Sequence, residues 1–300
     1  MATITQPREE TIAGLQAITT RQRISRILSR YGVKTLCYLL LIPLAVIFLF
    51  PFYLIVRNAL MTQPEITGPI WQWWPDSPQW HNFRVLFDEA PMGRGLRNSV
   101  ILAGVNLVLQ TLFASMAGYA LARIPTPGRS LAFAVVLSTL MVPSAVTFVP
   151  SYVVVSKLGG VDTLWGIVVP GLFNAFATFL FRQYYLDFPV EIEEAGRLDG
   201  LGYFGIYRGL VLPNSIGIIM ALGVLSFINS WNAFLWPVVM GRYPSTATVQ
   251  VVLSTYLTAQ TINLPMLFMG AAVAAAPLIV VFLVMQRYIV QGVRLSGIKG

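Results

Sequence analysis

Acidic side chains cluster at one place in this chain. Of its twelve Asp and Glu residues, five (Asp187, Glu191, Glu193, Glu194 and Asp199) fall within positions 187–199, and the stretch 190–214 reads VEIEEAGRLDGLGYFGIYRGLVLPN. Carboxylates at that density can offer charge to something that docks on them. The rest of the composition narrows the choice. A single histidine, His81, and a single cysteine, Cys37, leave no imidazole or thiolate cluster to hold a metal. None of the three lysines (Lys34, Lys157, Lys299) sits in a G-x-x-x-x-G-K-[ST] loop, so the chain has no such cradle for nucleotide phosphates. It is read as a non-enzyme, with no catalytic residue, no metal site and no cofactor of its own. Spacing alone leaves two readings of the acidic stretch, a docking surface and a solvated loop.

Two further groups have side chains suited to binding. Asn229, Ser230, Trp231 and Asn232 form a polar cluster within apolar surroundings, NSWNAFLWPVVM over 229–240. Amides that hydrogen-bond hydroxyls, beside a ring that stacks on an apolar sugar face, fit a carbohydrate path. The competing reading has the amides satisfying backbone groups near Pro237 or joining helices. Pro143, Ser144 and Thr147, followed by Pro150 and Ser151, predict a bent or broken helix whose freed backbone groups need polar company, as cavity-lining helices do.

The elements that carry these residues follow from hydropathy. With 56% apolar and only 11% charged residues, the chain departs from soluble domains, where about 25% are charged. Its mean hydropathy is +0.70. Uncharged runs long enough for roughly 20-residue membrane helices predict an all-α integral membrane protein with six spans near 36–56, 98–120, 130–152, 163–181, 214–238 and 266–286. Those spans carry no ionisable acidic or basic side chain, which argues against an ion- or proton-coupled carrier that drives itself.

Orientation comes from Lys and Arg. Arg8, Arg21, Arg23, Arg26, Arg30, Lys34, Arg123, Arg129, Arg182, Arg197, Arg208, Arg287, Arg294 and Lys299 fall on one side of a six-span chain, against Arg57, Arg84, Arg94, Arg97, Lys157 and Arg242 on the other. The richer side is expected in the cytoplasm, with both termini and the acidic stretch. The formal net charge of +8 is thus a topology signal rather than a nucleic-acid footprint. The expected organisation is a basic N-terminal segment, 1–34, then a six-helix transmembrane domain, 35–290, and a polar tail, 291–300. Residues 21–34 suit a basic helix lying on the inner leaflet. Trp71, Trp73, Trp74 and Trp80 fall in the connection 58–92, as headgroup anchors or as contacts for an external protein.

Within the acidic stretch, Pro189 opens a short helix whose carboxylates lie near its N-terminus. Asp199-Gly200 and Gly202 end it, and a second amphipathic run from Tyr203 leads to Pro213. These residues carry a resemblance. EEA at 193–195, DG at 199–200 and LP at 212–213 resemble the signature loop of binding-protein-dependent ABC importer permeases, with FRQYYLDFPVEIEEA before it. NSWNAFLWPVVM and MQRYIVQGVRLSGIKG are similar to the fifth-helix and C-terminal patterns of the second, six-helix permease of the maltose-type carbohydrate (CUT1) importers. Gly196 stands where the family has its second Ala, and Leu201 and Asn214-Ser215 also depart from the pattern.

The resemblance implies a type I importer fold with a coupling loop over about 187–213. It also implies partners: a second permease, two ATPase subunits that bind ATP and Mg, and an extracytoplasmic solute-binding protein. By the same resemblance, Glu193 or Glu194 pairs with a basic residue of the ATPase, Ala195 and Gly200 allow close approach, and Leu212-Pro213 fix the exit toward span five. The expected setting is a prokaryotic inner membrane and the expected cargo a sugar. Glycerol-3-phosphate or its diesters are the alternative within the family; an ion-coupled carrier and a non-transporting scaffold are the alternatives outside it.

Overall fold

The computed structural model describes residues 8–241, 244–258 and 262–296, with side chains from 34 to 286 among them. Hydrocarbon offers the backbone no hydrogen-bond partner, so apolar runs of this length fold as helices. Three helices are long and apolar enough to cross a membrane alone: Lys34–Ala59, Met92–Arg123 and Leu264–Gln286. Three bent pairs bring the spans to six: Arg129–Leu140 with Ser144–Lys157 (101°), Leu164–Gly171 with Ala175–Leu186 (43°), and Tyr203–Asn214 with Ile216–Trp231 (80°).

The chain forms two compact units that divide after Val56. In the first, one helix runs without a break from Arg8 into the first span and on to Ala59. The backbone therefore does not set 21–34 apart as a separate surface helix, and the side chains that would decide its amphipathic face lie outside those described. Leu39, Leu40, Ile47, Phe48 and Leu49 are exposed, as side chains that face lipid must be. At the other terminus, the last helix, Leu264–Ser296, carries the sixth span into the polar tail; residues 297–300 are outside the described part.

In the second unit, two ends can be told apart by their contacts. At one end, Arg123 closes span two, and Arg182 on span four donates Nε to Leu121 O at 3.3 Å. At the opposite end the connections are tied to one another. Asn98, fully buried, donates Nδ2 to Ser245 O and Ala247 O at 3.2 and 3.0 Å, and Ser99 Oγ accepts from the Val249 amide at 2.9 Å. Gln63 spans to the start of span six through Ile262 O and the Leu264 amide. Arg57 is buried there, with Nε on Gln72 O at 2.6 Å and its guanidinium 4.2 Å above the Trp71 ring. Trp71, Trp73, Trp74 and Trp80 are all at least half exposed.

The broken third span falls where Pro143 was expected to interrupt it: Pro143 sits at the start of the second half, while Pro150 lies inside the helix Ser144–Lys157. Span five is shorter than the expected 214–238. It ends at Trp231, and after a break the chain resumes as Leu235–Met240, a turn of helix that contains Pro237. Span two carries a feature with no sequence signal, a π-helical turn over Asn106–Gln110.

Spans two and four pack through small residues. Ala114, Gly118 and Ala122 recur every fourth position of span two and are all buried. Such spacing lets helix backbones approach closely in a membrane, where apolar side chains gain little by leaving lipid. At Gly118 the approach excludes any side chain: an added Cβ would lie 2.6 Å from Phe181 Cβ and 2.9 Å from the Arg182 amide nitrogen. Gly118→Val is therefore expected to lower the stability of the purified protein by about 1–3 kcal/mol, the usual cost of overpacking. Gly104→Ala, where an added Cβ meets nothing within 4 Å, is the control and is expected to cost nothing. Thermal unfolding in detergent reads both.

Candidate functional site

The acidic stretch folds as the helix Val190–Leu198, with Glu191 and Glu193 in its first turn. Carboxylates there meet the positive end of the helix dipole. Asp199 follows the last turn, and Gly200, at φ +80°, takes the left-handed backbone that ends the helix at no steric cost. A second helix then runs over Tyr203–Asn214, π-helical at Tyr207–Val211. It meets span five at 80°, and the bend falls at Ser215, whose Oγ donates to Val211 O at 2.7 Å. Leu212 packs into the apolar cluster beneath, and Pro213 is exposed just before the bend.

Helical periodicity sorts the residues of Val190–Leu198 onto two faces. Ile192, Glu193 and Gly196 turn inward, whereas Glu191, Glu194, Ala195, Arg197 and Leu198 are exposed, Leu198 by 89%. Glu193 is 1% exposed, and its Oε1 lies 3.2 Å from Arg123 Nε at the end of span two. Arg197, one turn on, reaches to 4.0 Å from its other oxygen. Burial pushes the Glu193 carboxyl above its ordinary pKa, and Arg123 and then Arg197 pull it back. The two glutamates expected to serve as alternatives for one external contact thus differ: Glu193 is committed within the chain, and Glu194 faces out.

Arg123 has further partners. Its Nε donates to Tyr185 O at 2.8 Å and a terminal nitrogen donates to Phe188 O. Beneath the helix, Ser115 Oγ lies 2.6 Å from Tyr185 OH and 2.9 Å from Tyr207 OH. The Tyr119 ring packs on both tyrosines, with centroids 5.8 and 5.2 Å away. Gly196 fits against the second helix, where an added Cβ would lie 2.7 Å from Leu210 Cδ1. The substitution of Gly for the family's Ala here therefore has a packing reason. The sequence reading missed Arg123, Ser115 and the tyrosines. Arg123 was legible only as one more basic residue on the richer side, and the tyrosines as part of the apolar background.

A cavity of about 330 Å³ lies between spans two, three, four and five. Span two contributes Asn106 and Gln110 from its π-helical turn, span three Ser144, Thr147 and Ser151, and span five Ser226, Asn229 and Ser230. None of the lining residues is charged. Asn106 Nδ2 donates to Leu102 O at 3.1 Å and Ser230 Oγ at 3.0 Å. A main-chain carbonyl only accepts, so this contact fixes which way the amide points. Asn106 Oδ1 faces Gly171 at the break in span four and is buried without a hydrogen-bond partner. Ser226 Oγ donates to Gln110 Oε1, and a second, adjoining cavity shares Gln110, Ser226 and Asn229 and adds Asn174.

Of the residues expected on a solute path, the cavity thus gathers Asn229, Ser230, Ser144 and Thr147. Three others lie elsewhere. Trp231 is fully buried, stacked on Phe227 with its Nε1 donating to Ala274 O at 3.2 Å, so its ring is core and is not free to stack on a solute. Asn232 is exposed past the end of the helix, with Oδ1 accepting from Gln250 at 3.4 Å. Pro143 starts the second half of span three without lining the cavity. Trp236, which lies in the NSWNAFLWPVVM pattern but was not among the residues expected on the path, does line it, with Nε1 on Gly166 O at 3.2 Å.

Comparison with known proteins places this architecture. Residues 110–295 match the family described as "Binding-protein-dependent transport system inner membrane component". The "Arabinooligosaccharides transport system permease protein AraQ" of Halalkalibacterium halodurans is 36% identical over 220 residues, 73% of this chain and 79% of the relative. The "sn-glycerol-3-phosphate transport system permease protein UgpE" of Yersinia pestis is 30% identical over 88% of this chain and 97% of its own. Among solved structures, a chain of a bacterial ABC transporter involved in the import of the acidic polysaccharide alginate superposes with a TM-score of 0.74 over 96% of this chain and 100% of that one. At 20% identity that likeness speaks to the fold. The breadth of these matches, over a helical chain with up to six apolar spans and a short acidic helix at Val190–Leu198, makes this chain a member of the family of binding-protein-dependent transport system inner membrane components.

Proposed function

We propose that the chain is one of two membrane subunits of an ABC importer for neutral oligosaccharides. It would form half of the translocation path and pass motion from two partner ATPases, which bind ATP and Mg, to the spans. The other partners are a second permease and an extracytoplasmic solute-binding protein. The helix Val190–Leu198 is the part that meets an ATPase, through Glu194, Ala195, Leu198 and Asp199. Both termini and this helix lie in the cytoplasm, the side that the distribution of Lys and Arg favours. A rigid short helix seated in a partner's groove converts closure of that partner into rotation of the spans it is packed on.

The observation that carries the choice of substrate is the cavity: amide and hydroxyl groups from three spans with no charged residue among them. Such a lining offers hydrogen bonds to hydroxyls and no counter-charge to a phosphate. A glycerol-3-phosphate importer is the second reading, supported by the similarity to UgpE. It would take its positive potential from the companion permease or from helix N-termini.

The test uses the complex purified from its own cells and reconstituted with its binding protein. ATP-dependent uptake of a labelled arabino-oligosaccharide is expected, and uptake of labelled glycerol-3-phosphate alone would overturn the substrate. A cysteine at Glu194 is expected to crosslink to an ATPase subunit, whereas one at buried Glu193 is not. Glu194→Lys with Asp199→Lys is expected to reduce uptake to background while the two permeases remain paired. Charge contacts desolvated at an interface are worth about 2–5 kcal/mol, which is enough to lose docking. Crosslinks that never reach an ATPase, or full uptake by that double variant, would refute the docking role.

The cavity generates a separate prediction. The Asn229 side chain, on the helix Ile216–Trp231, lines both cavities. Asn229→Ala is expected to raise the solute concentration for half-maximal uptake and to change thermal stability by less than about 0.5 kcal/mol. Trp231→Phe, which deletes the bond to Ala274 O, is expected to do the reverse, losing about 1–3 kcal/mol with little effect on half-saturation. Melting curves and uptake kinetics on the same preparations separate the two.

A further inference from the structure

The helix Val190–Leu198 rests on the bundle mostly through apolar contacts: Ile192 packs into a cluster with Tyr207, Ile206, Leu210 and Phe188. Apolar burial is non-directional. A helix held by it alone slides or rolls under load and loses part of the displacement imposed on it. One polar contact breaks that freedom. The Arg123 guanidinium, at the end of span two, meets Glu193 of the short helix and the carbonyls of Tyr185 and Phe188 at the end of span four. The helix of span four ends at Leu186, where Tyr185 O already accepts from the Asp187 and Phe188 amides, and Arg123 adds a charged donor to it and to Phe188 O just past the helix end. A cation there also meets the negative end of the helix dipole. Three elements thus converge on one guanidinium: it donates to the two carbonyls and holds Glu193 Oε1, 3.2 Å from Nε, by charge without a hydrogen bond, and lysine, a point charge, does not reproduce its two directed donors.

We propose that Arg123 is the positioning residue of this joint: by holding Glu193, Tyr185 O and Phe188 O together, it makes the short helix move as one piece with the ends of spans two and four. Stability is not the reason for such a pair, because replacing a buried ion pair by apolar groups is often neutral. What the pair adds is direction, fixing the helix in one register on the bundle. The inference rests on the reading that this helix receives the stroke of an ATPase.

The experiment compares the wild-type complex with Arg123→Lys, Arg123→Met and the double variant Arg123→Met with Glu193→Gln. Removing Arg123 alone strands a buried carboxylate and is expected to reduce the amount of assembled complex; the double variant removes both charges and is expected to restore it. Two quantities are read on the double variant. Amide hydrogen exchange across 190–198 is expected to quicken, and solute taken up per ATP hydrolysed is expected to fall severalfold. Arg123→Lys is expected to fall between the double variant and wild type. A merely structural role would lower assembly and uptake together and leave the ratio unchanged. A double variant with wild-type exchange in 190–198, or with wild-type uptake per ATP, overturns the proposal. Exchange is read on the protein whether or not an ATPase accompanies it, so a wild-type complex without ATP-driven uptake counts against the function proposed above, while the exchange still decides the role of Arg123.

Discussion

Hydrocarbon offers the backbone no hydrogen-bond partner, and most of this architecture follows from how the chain meets that constraint. Where a helix is intact the backbone satisfies itself. Where span four is interrupted, the freed groups lie beside side chains that bond: Asn174 Oδ1 caps the Ala177 amide at 2.8 Å, and Trp236 donates to Gly166 O, whose intrahelical partner would be the N–H that Pro170 lacks. The interruptions sit next to the cavity, with Ser144, Gly171 and Ala233 all in its wall. A broken helix and a polar path are in this sense one feature, since the groups that excuse the break also make the space hospitable to hydroxyls.

The same constraint concentrates charge at the ends. A carboxylate or guanidinium inside a span is expensive, so the residues that can act on a soluble partner are displaced to the connection between spans four and five. There the helix Val190–Leu198 divides its carboxylates by face, Glu193 inward on Arg123 and Glu194 outward. One turn of helix thus serves two purposes: its inner face fixes it to the bundle and its outer face is available to a partner. The tyrosines around Ser115 join the second helix, through Tyr207, to spans two and four.

Small residues and π-helical turns complete the arrangement. Ala114, Gly118 and Ala122 bring span four against span two, which places Tyr185 and Phe188 within reach of Arg123. Farther along span two, the π-helical turn at Asn106–Gln110 sets two amides against Ser230 and Ser226 of span five. π-Helical turns are rare and recur at functional sites. Here the turn contributes Asn106 and Gln110 to the wall of the uncharged cavity between spans two, three, four and five.

Sequence alone determined the membrane class, six spans, the break at Pro143 and the short acidic helix ended by Gly200, because hydropathy, proline and left-handed glycine act locally and leave a mark on composition or spacing. The family was legible for the same reason, in EEA, DG and LP at fixed intervals. Tertiary structure alone decided which side chains share a site. Glu193 and Glu194 are neighbours of identical chemistry, and only packing against Arg123, seventy positions earlier, turns one inward. Trp231 and Asn229 belong to one polar run, yet the 100° step of the helix puts the ring in the core and the amide on the cavity. Asn106 and Gln110 carried no local signal, since an isolated polar residue in an apolar run acquires a role only from the span it meets across the bundle.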